Sequence, residues 1–175
     1  MKKLLAWGGM GIAGLLLTTA AWSVQYTNSA DKMTVVVNQA FEFHKPDKKW
    51  DTQKLRKDPN TPLQWVLNQA GPDPVIKLKY LAPTKGKGLD QIASHLKKEY
   101  KLQGITIEKV ERKTINGNQA LLLHGLNPYK DERFLIGVLV SPRQGYILEC
   151  ASALDDFNAM KGQFRQAIET ARILR

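Results

Sequence analysis

Four side chains carry the types that nucleophilic, acid–base or metal chemistry needs: His44, His95, His124 and Cys150. A cysteine nucleophile needs a base within hydrogen-bond reach, so Cys150 with His124 is the pair to weigh. No motif frames it. Cys150 stands two residues from Leu148 in "YILECAS" and shares a strand face with it, where a buried, inert thiol is the ordinary case. His95 falls on the polar side of a helical pattern and is expected to be solvated. No His or Cys pair has zinc-finger or helical ligand spacing. The adjacent acids Asp155 and Asp156 sit where a helix begins, and the helix dipole accounts for them. "KGKGLD", residues 85–90, places two glycines before a helix and weakly resembles an anion cradle. Glycine and lysine are ordinary loop residues, and a plain helix start explains them. The sequence therefore predicts no enzyme, no cofactor and no metal site.

The remaining chemistry is charge. Lys and Arg number 26 against 16 Asp and Glu, a formal net charge of +10. Basic residues crowd residues 45–57, at Lys45, Lys48, Lys49, Lys54, Arg56 and Lys57, and again residues 77–101. Each cluster reads plainly as solvated surface. The sharper reading is steering toward an acidic protein or anionic lipid head groups, with Lys45, Lys48, Lys49, Lys54 and Lys57 as the partner-binding residues. Nucleic acid is not an expected partner, because no basic helix or aromatic stacking pattern supports it.

The first residues decide location. "MKKLLAWGGMGIAGLLLTTAAWS" sets two lysines before an apolar run from Leu4 to about Trp22, the layout of a bacterial export signal. The run also approaches the ~20 residues that span a bilayer, so residues 1–24 are expected to be a signal peptide or an N-terminal membrane anchor. Positive flanks stay cytoplasmic, which puts the rest of the chain across the membrane in either case, periplasmic or otherwise extracytoplasmic, with anchoring to the inner membrane if the run is retained. The lone Cys150 is far from any cleavage site, so lipid attachment is not expected, and it has no internal disulfide partner. Residues 25–32 are polar and aperiodic and read as a linker. Residues 33–175 make one domain of ordinary length.

Strand patterns must position these residues. "MTVVV", "FEF", "LQWVLNQ" and "VIKLKYLA" come first, and in the last Ile76, Leu78 and Tyr80 share one face while Lys77 and Lys79 share another, predicted wet. Leu89, Ile92, Ala93, Leu96 and Tyr100 then mark an amphipathic helix that ends near Gly104. "ITIEKVERKTI" runs into "NGN", the strongest short hairpin signal, because both central residues of a type I′ turn need positive φ. "QALLLHGL", "RFLIGVLV" and "YILECAS" follow, the second apolar on both faces and so placed mid-sheet. A last helix begins at a Ser152 cap, with Leu154, Phe157, Met160, Phe164, Ala167, Ile168 and Ala171 as its stripe. The fold class is α+β, a mainly antiparallel sheet covered by two amphipathic helices.

"FEFHKPDKKW", "NGNQALLL" and the terminal helix together resemble the PsbP-like fold family, which includes PsbP and DcrB-like bacterial envelope proteins. The resemblance spans Met33 to Leu174, with Lys49 where the family often has glycine. It implies an α/β/α sandwich and a Trp50 folded back as a lid over one end of the sheet. It also implies a non-enzymatic exported accessory protein that binds a membrane-associated assembly of the cell envelope. A small-ligand or lipid-binding periplasmic module, with a pocket between sheet and helix under a basic rim, is the alternative.

Overall fold

The structure is a computed structural model and describes residues 25–28, 32–36, 39–53, 63–67, 74–81 and 86–174. The predicted signal or anchor, Lys54 and Lys57 lie outside these residues. In chain order the strands are β1 (Gln25–Asn28), β2 (Lys32–Val36), β3 (Ala40–His44), β4 (Trp50–Gln53), β5 (Leu63–Leu67) and β6 (Val75–Leu81). Helix α1 (Leu89–Leu102) precedes β7 (Thr106–Ile115), β8 (Asn118–Asn127), β9 (Glu132–Val140) and β10 (Gly145–Ala153). Helix α2 (Phe157–Glu169) and β11 (Arg172–Ile173) close the chain.

All described strand pairs are antiparallel, as expected, but they form two sheets. One has the order β1-β2-β3-β11 and the other β4-β5-β6-β10-β9-β8-β7. The division falls at Pro46, where the missing amide N–H and fixed φ stop β3 from continuing. Phe41 and Phe43 then lie on the face of the larger sheet instead of extending its edge. Phe41 stacks on Tyr146 at 4.4 Å and Phe43 meets Trp65 edge-on at 4.3 Å.

Period-two alternation sorts the core into two clusters. Ala120, Leu122, Leu135, Leu139, Leu148 and Cys150 pack with the small sheet and with Phe164 and Ile168 of α2. Leu121, Leu123, Ile136, Val138 and Ile147 pack with Ile92, Leu96 and Tyr100 of α1. These alternate positions of β8, β9 and β10 point to opposite faces of one sheet. Gly137 of β9 lets α2 approach: an added Cβ would sit 2.5 Å from Ile168 Cγ2.

Several local expectations hold, and several need correction. α1 buries Ile92, Ala93, Leu96 and Tyr100, and its exit turns at Gly104 with φ +79°. Asn116 and Gly117 take φ 47° and 77°, as the hairpin requires. Ser152 is not the cap of α2. It belongs to β10, and α2 starts only after Asp156, because β10 keeps pairing with β9 as far as Ala153. Leu154, read as part of the helical stripe, is 41% exposed in the intervening turn. The helical pattern stops at Glu169 and the chain re-enters the small sheet as β11 beside β3. In the stretch read as linker, Gln25–Asn28 pairs along β2. Strand pairing uses the main chain, so a polar sequence does not prevent it.

Candidate functional site

The lysine loop is the first site the sequence singles out. β3 ends at His44, whose backbone N–H donates to Thr170 Oγ1 at 3.1 Å. Asp47 Oδ1 accepts the Lys49 N–H at 2.7 Å, an Asx turn that tightens the reversal. The chain then dives at Trp50, which is 2% exposed. The indole Nε1–H donates to Gln163 Oε1 at 2.7 Å, and the ring lies edge-on to Phe164, 6.3 Å away. Trp50 is core, and it pins the loop to α2. Lys48 and Lys49 point outward and Lys45 is half-buried, so three of the five predicted lysines gather on one turn held at both ends.

The four chemistry-bearing residues do not converge. Cys150, Leu135 and His124 are register neighbours across β10, β9 and β8, so Leu135 separates thiol from imidazole by two strand spacings, ~10 Å. Burial and then the neighbouring Glu149 charge push the Cys150 thiol well above its usual range. His124 Nε2 is 3.0 Å from Glu111 Oε1. Lys109, His124 and Lys113, in that order, hold the Glu111 carboxyl down at about 2. His95 pairs with Glu99 at 3.1 Å on the solvent side of α1, and His44 is exposed on the other sheet. Among the described residues, no group of three or more His, Cys, Asp or Glu is placed to hold a metal ion.

Three arrangements were not legible beforehand. The predicted wet face of β6 is covered: Lys79 lies over the Tyr100 ring, 5.6 Å from its centroid, and forms an ion pair with Glu149, itself 3% exposed. Burial, followed by the Glu149 charge and its hydrogen bond, drives the Tyr100 phenol well above its ordinary range. The available signal was Glu149 itself, one acid in an otherwise apolar strand. Glu42, 4% exposed, meets Lys32 at 2.9 Å and Arg172, joining β2, β3 and β11. Burial raises its pKa, and the two cations outweigh that and hold it below 4.5. Finally, a cleft of about 360 Å³ opens between α2 and the β7–β8 hairpin, lined by the buried Ile115, Leu122 and Ile168 and by the exposed Lys113, Arg165 and Glu169.

No helix among the described residues is long and apolar enough to cross a membrane. No family model matches the sequence, and no curated protein does. Solved structures do. Cyanobacterial PsbP (CyanoP) of Synechocystis sp. PCC 6803 superposes with a TM-score of 0.55 at 12% identity, over 98% of this chain and 99% of that one. PA94 of Pseudomonas aeruginosa, a protein of unknown function suggested to be a regulator, superposes with a TM-score of 0.50 at 13% identity, over 87% of this chain and 97% of that one. At such identities the likeness concerns backbone architecture, and by that measure the chain has the PsbP-like fold.

Proposed function

We propose that this chain is a non-enzymatic, exported accessory protein that binds a membrane-associated protein assembly of the bacterial cell envelope. The observation that carries the reading is the lysine turn: a basic loop would ordinarily fray, yet this one is fixed through Trp50 and Thr170 while Lys48 and Lys49 face outward. A rigid cationic turn forms contacts with an acidic surface at low ordering cost. An accessory or regulatory role also fits the PsbP-like neighbours. The α/β/α layering belongs with this proposal, supported by the division of the core between the α1 and α2 faces. Residues 1–24 supply the periplasmic placement, as signal or inner-membrane anchor.

Crosslinking in intact envelopes followed by affinity capture tests the proposal. One stoichiometric membrane complex is expected with the native chain, and a weakened yield with Lys48→Glu and Lys49→Glu. Capture of no defined complex would overturn it.

The small-ligand or lipid module is the second reading, favoured by the α2–hairpin cleft, lined by Ile115, Leu122 and Ile168 together with Lys113, Arg165 and Glu169. Native mass spectrometry of protein taken from its own envelope would reveal a carried ligand as a discrete added mass. A bare polypeptide mass would remove this reading.

A further inference from the structure

Asn116 and Gly117, both exposed, form the tip of the β7–β8 hairpin and are the single Asn-Gly step in the sequence. Their left-handed φ values explain the residue types, but not where the asparagine side chain goes. Asn116 Nδ2 reaches across to α2, donating to Glu169 O at 2.9 Å and to Ala171 O at 3.0 Å. The last four carbonyls of a helix have no partner within it. Here Gln166 O accepts from the Thr170 N–H, Ala167 O from Thr170 Oγ1 and Ile168 O from the Ala171 N–H. Glu169 O is the fourth, and its donor is Asn116. The hairpin therefore completes the cap of α2 from outside the helix.

The same pair of residues is chemically labile. Glycine has no side chain to hinder its own backbone nitrogen, so the Gly117 nitrogen can add to Asn116 Cγ. That nitrogen gives up its proton, the Cγ–Nδ2 bond breaks and ammonia leaves. Water then opens the resulting five-membered imide at either carbonyl, to aspartate or to isoaspartate. The conversion consumes only water and involves no oxidation or reduction. An added Cβ on Gly117 would meet nothing within 4 Å, so the tip carries no packing that resists a local opening. What resists is the amide itself, which must release Glu169 O and Ala171 O before it can fold back on its own backbone.

We propose that Asn116 is a spontaneous deamidation site, gated by its two hydrogen bonds to α2, and that its conversion uncaps α2 and loosens the adjoining cleft. A carboxylate at this position has no N–H to donate and faces two carbonyl oxygens at the negative end of the helix dipole. Isoaspartate also lengthens the backbone of a two-residue turn whose geometry sets the strand register. Ile115, Asn116, Ile168 and Glu169 all line the cleft of about 360 Å³, so the lost cap is felt there first. The site depends on no bound partner or ligand.

The test holds the purified full chain at pH 8 and 37 °C, folded or unfolded in guanidinium chloride, while peptide mapping by mass spectrometry follows the mass gain from amide to acid at every asparagine. Asn116 should convert ahead of the other asparagines in both states, and about ten- to a hundredfold more slowly in the folded chain, the scale of two hydrogen bonds. Equal rates in the two states would overturn the gate, and an intact Asn116 beside other converted asparagines would overturn the site. Asn116→Asp stands in for the product, and because Asp-Gly serves the same turn, it isolates the loss at α2. Its melting temperature should lie below that of the native chain at neutral pH. Facing carbonyl oxygens raises the folded-state pKa of that carboxyl above its usual ~3.9, so the deficit is present above the raised value and shrinks as pH falls below it. Asn116→Ala loses the same bonds without the charge, and its deficit should not change with pH. An Asn116→Asp chain that melts like the native one at neutral pH, with unchanged amide hydrogen exchange over residues 166–173, would sever the modification from α2.

Discussion

Gly137 shows how much one missing carbon can decide. It lies in β9, where β-branched residues ordinarily serve better, and its bare backbone lets Ile168 rest on the sheet. Gly137→Ala would force α2 outward or Ile168 off its rotamer, at a cost of about 1–3 kcal/mol. Ile168→Ala alone removes buried atoms and should cost about 2–5 kcal/mol. In the Gly137→Ala background the same truncation also relieves the clash, so urea denaturation should give a double mutant more stable than the sum of the two losses. Trp50 is the complementary case, a ring whose removal leaves space. Trp50→Ala should cost about 3–5 kcal/mol, and an unchanged melting temperature would mean that the ring does not seal the sheet against α2.

Between elements, the Glu42 ion cluster ties three strands of the small sheet. Its folded-state pKa lies below 4.5, so its stabilising effect is complete above that value and fades as pH falls through the lowered one. The melting temperature of Glu42→Gln should therefore lie below that of the native chain by a constant gap from neutral pH down to about 4.5, and the gap should narrow in more acid solution. A gap that stays constant to pH 2 would show the carboxylate titrating as it does unfolded. Glu42 also marks where sequence reading stops. The alternation of Phe41, Glu42 and Phe43 declares a strand with one apolar face, yet nothing local says that Lys32 and Arg172 converge on the acid between them. Local signals were enough for α1, whose stripe lies within one helix, and for Asn116–Gly117, whose turn chemistry is local. They misplaced both ends of α2, because β10 pairing claims Ser152 and β3 pairing claims Arg172 and Ile173. The lysine turn was legible as a charge cluster. The Lys79–Glu149 pair beside α1 was not, since it needs β6 to lie along β10.

Across the whole molecule, positive charge is expected to govern encounter more than folding. Reversing Lys48 and Lys49 to glutamate should move unfolding free energy by no more than about 0.5 kcal/mol, because both are solvent-exposed. Partner capture should weaken with those reversals and again in 1 M salt, where screening shortens to roughly 3 Å. Capture indifferent to both would shift attention to Leu102 and Tyr129, the most exposed large hydrophobics among the described residues.

The pairing of β3 with β11 joins residues 130 positions apart. Synthesis runs from the amino end, so the small sheet keeps an open edge at β3 until Arg172 and Ile173 have been made. Contacts of such long range form late, and until then Glu42 has Lys32 but lacks Arg172. A chain cut short before Arg172 would retain its hairpins while leaving β3 free to pair with a neighbouring molecule, the usual route from an unfinished edge to aggregation. β11 thus acts as a clasp, fastened only once Arg172 and Ile173 have been made.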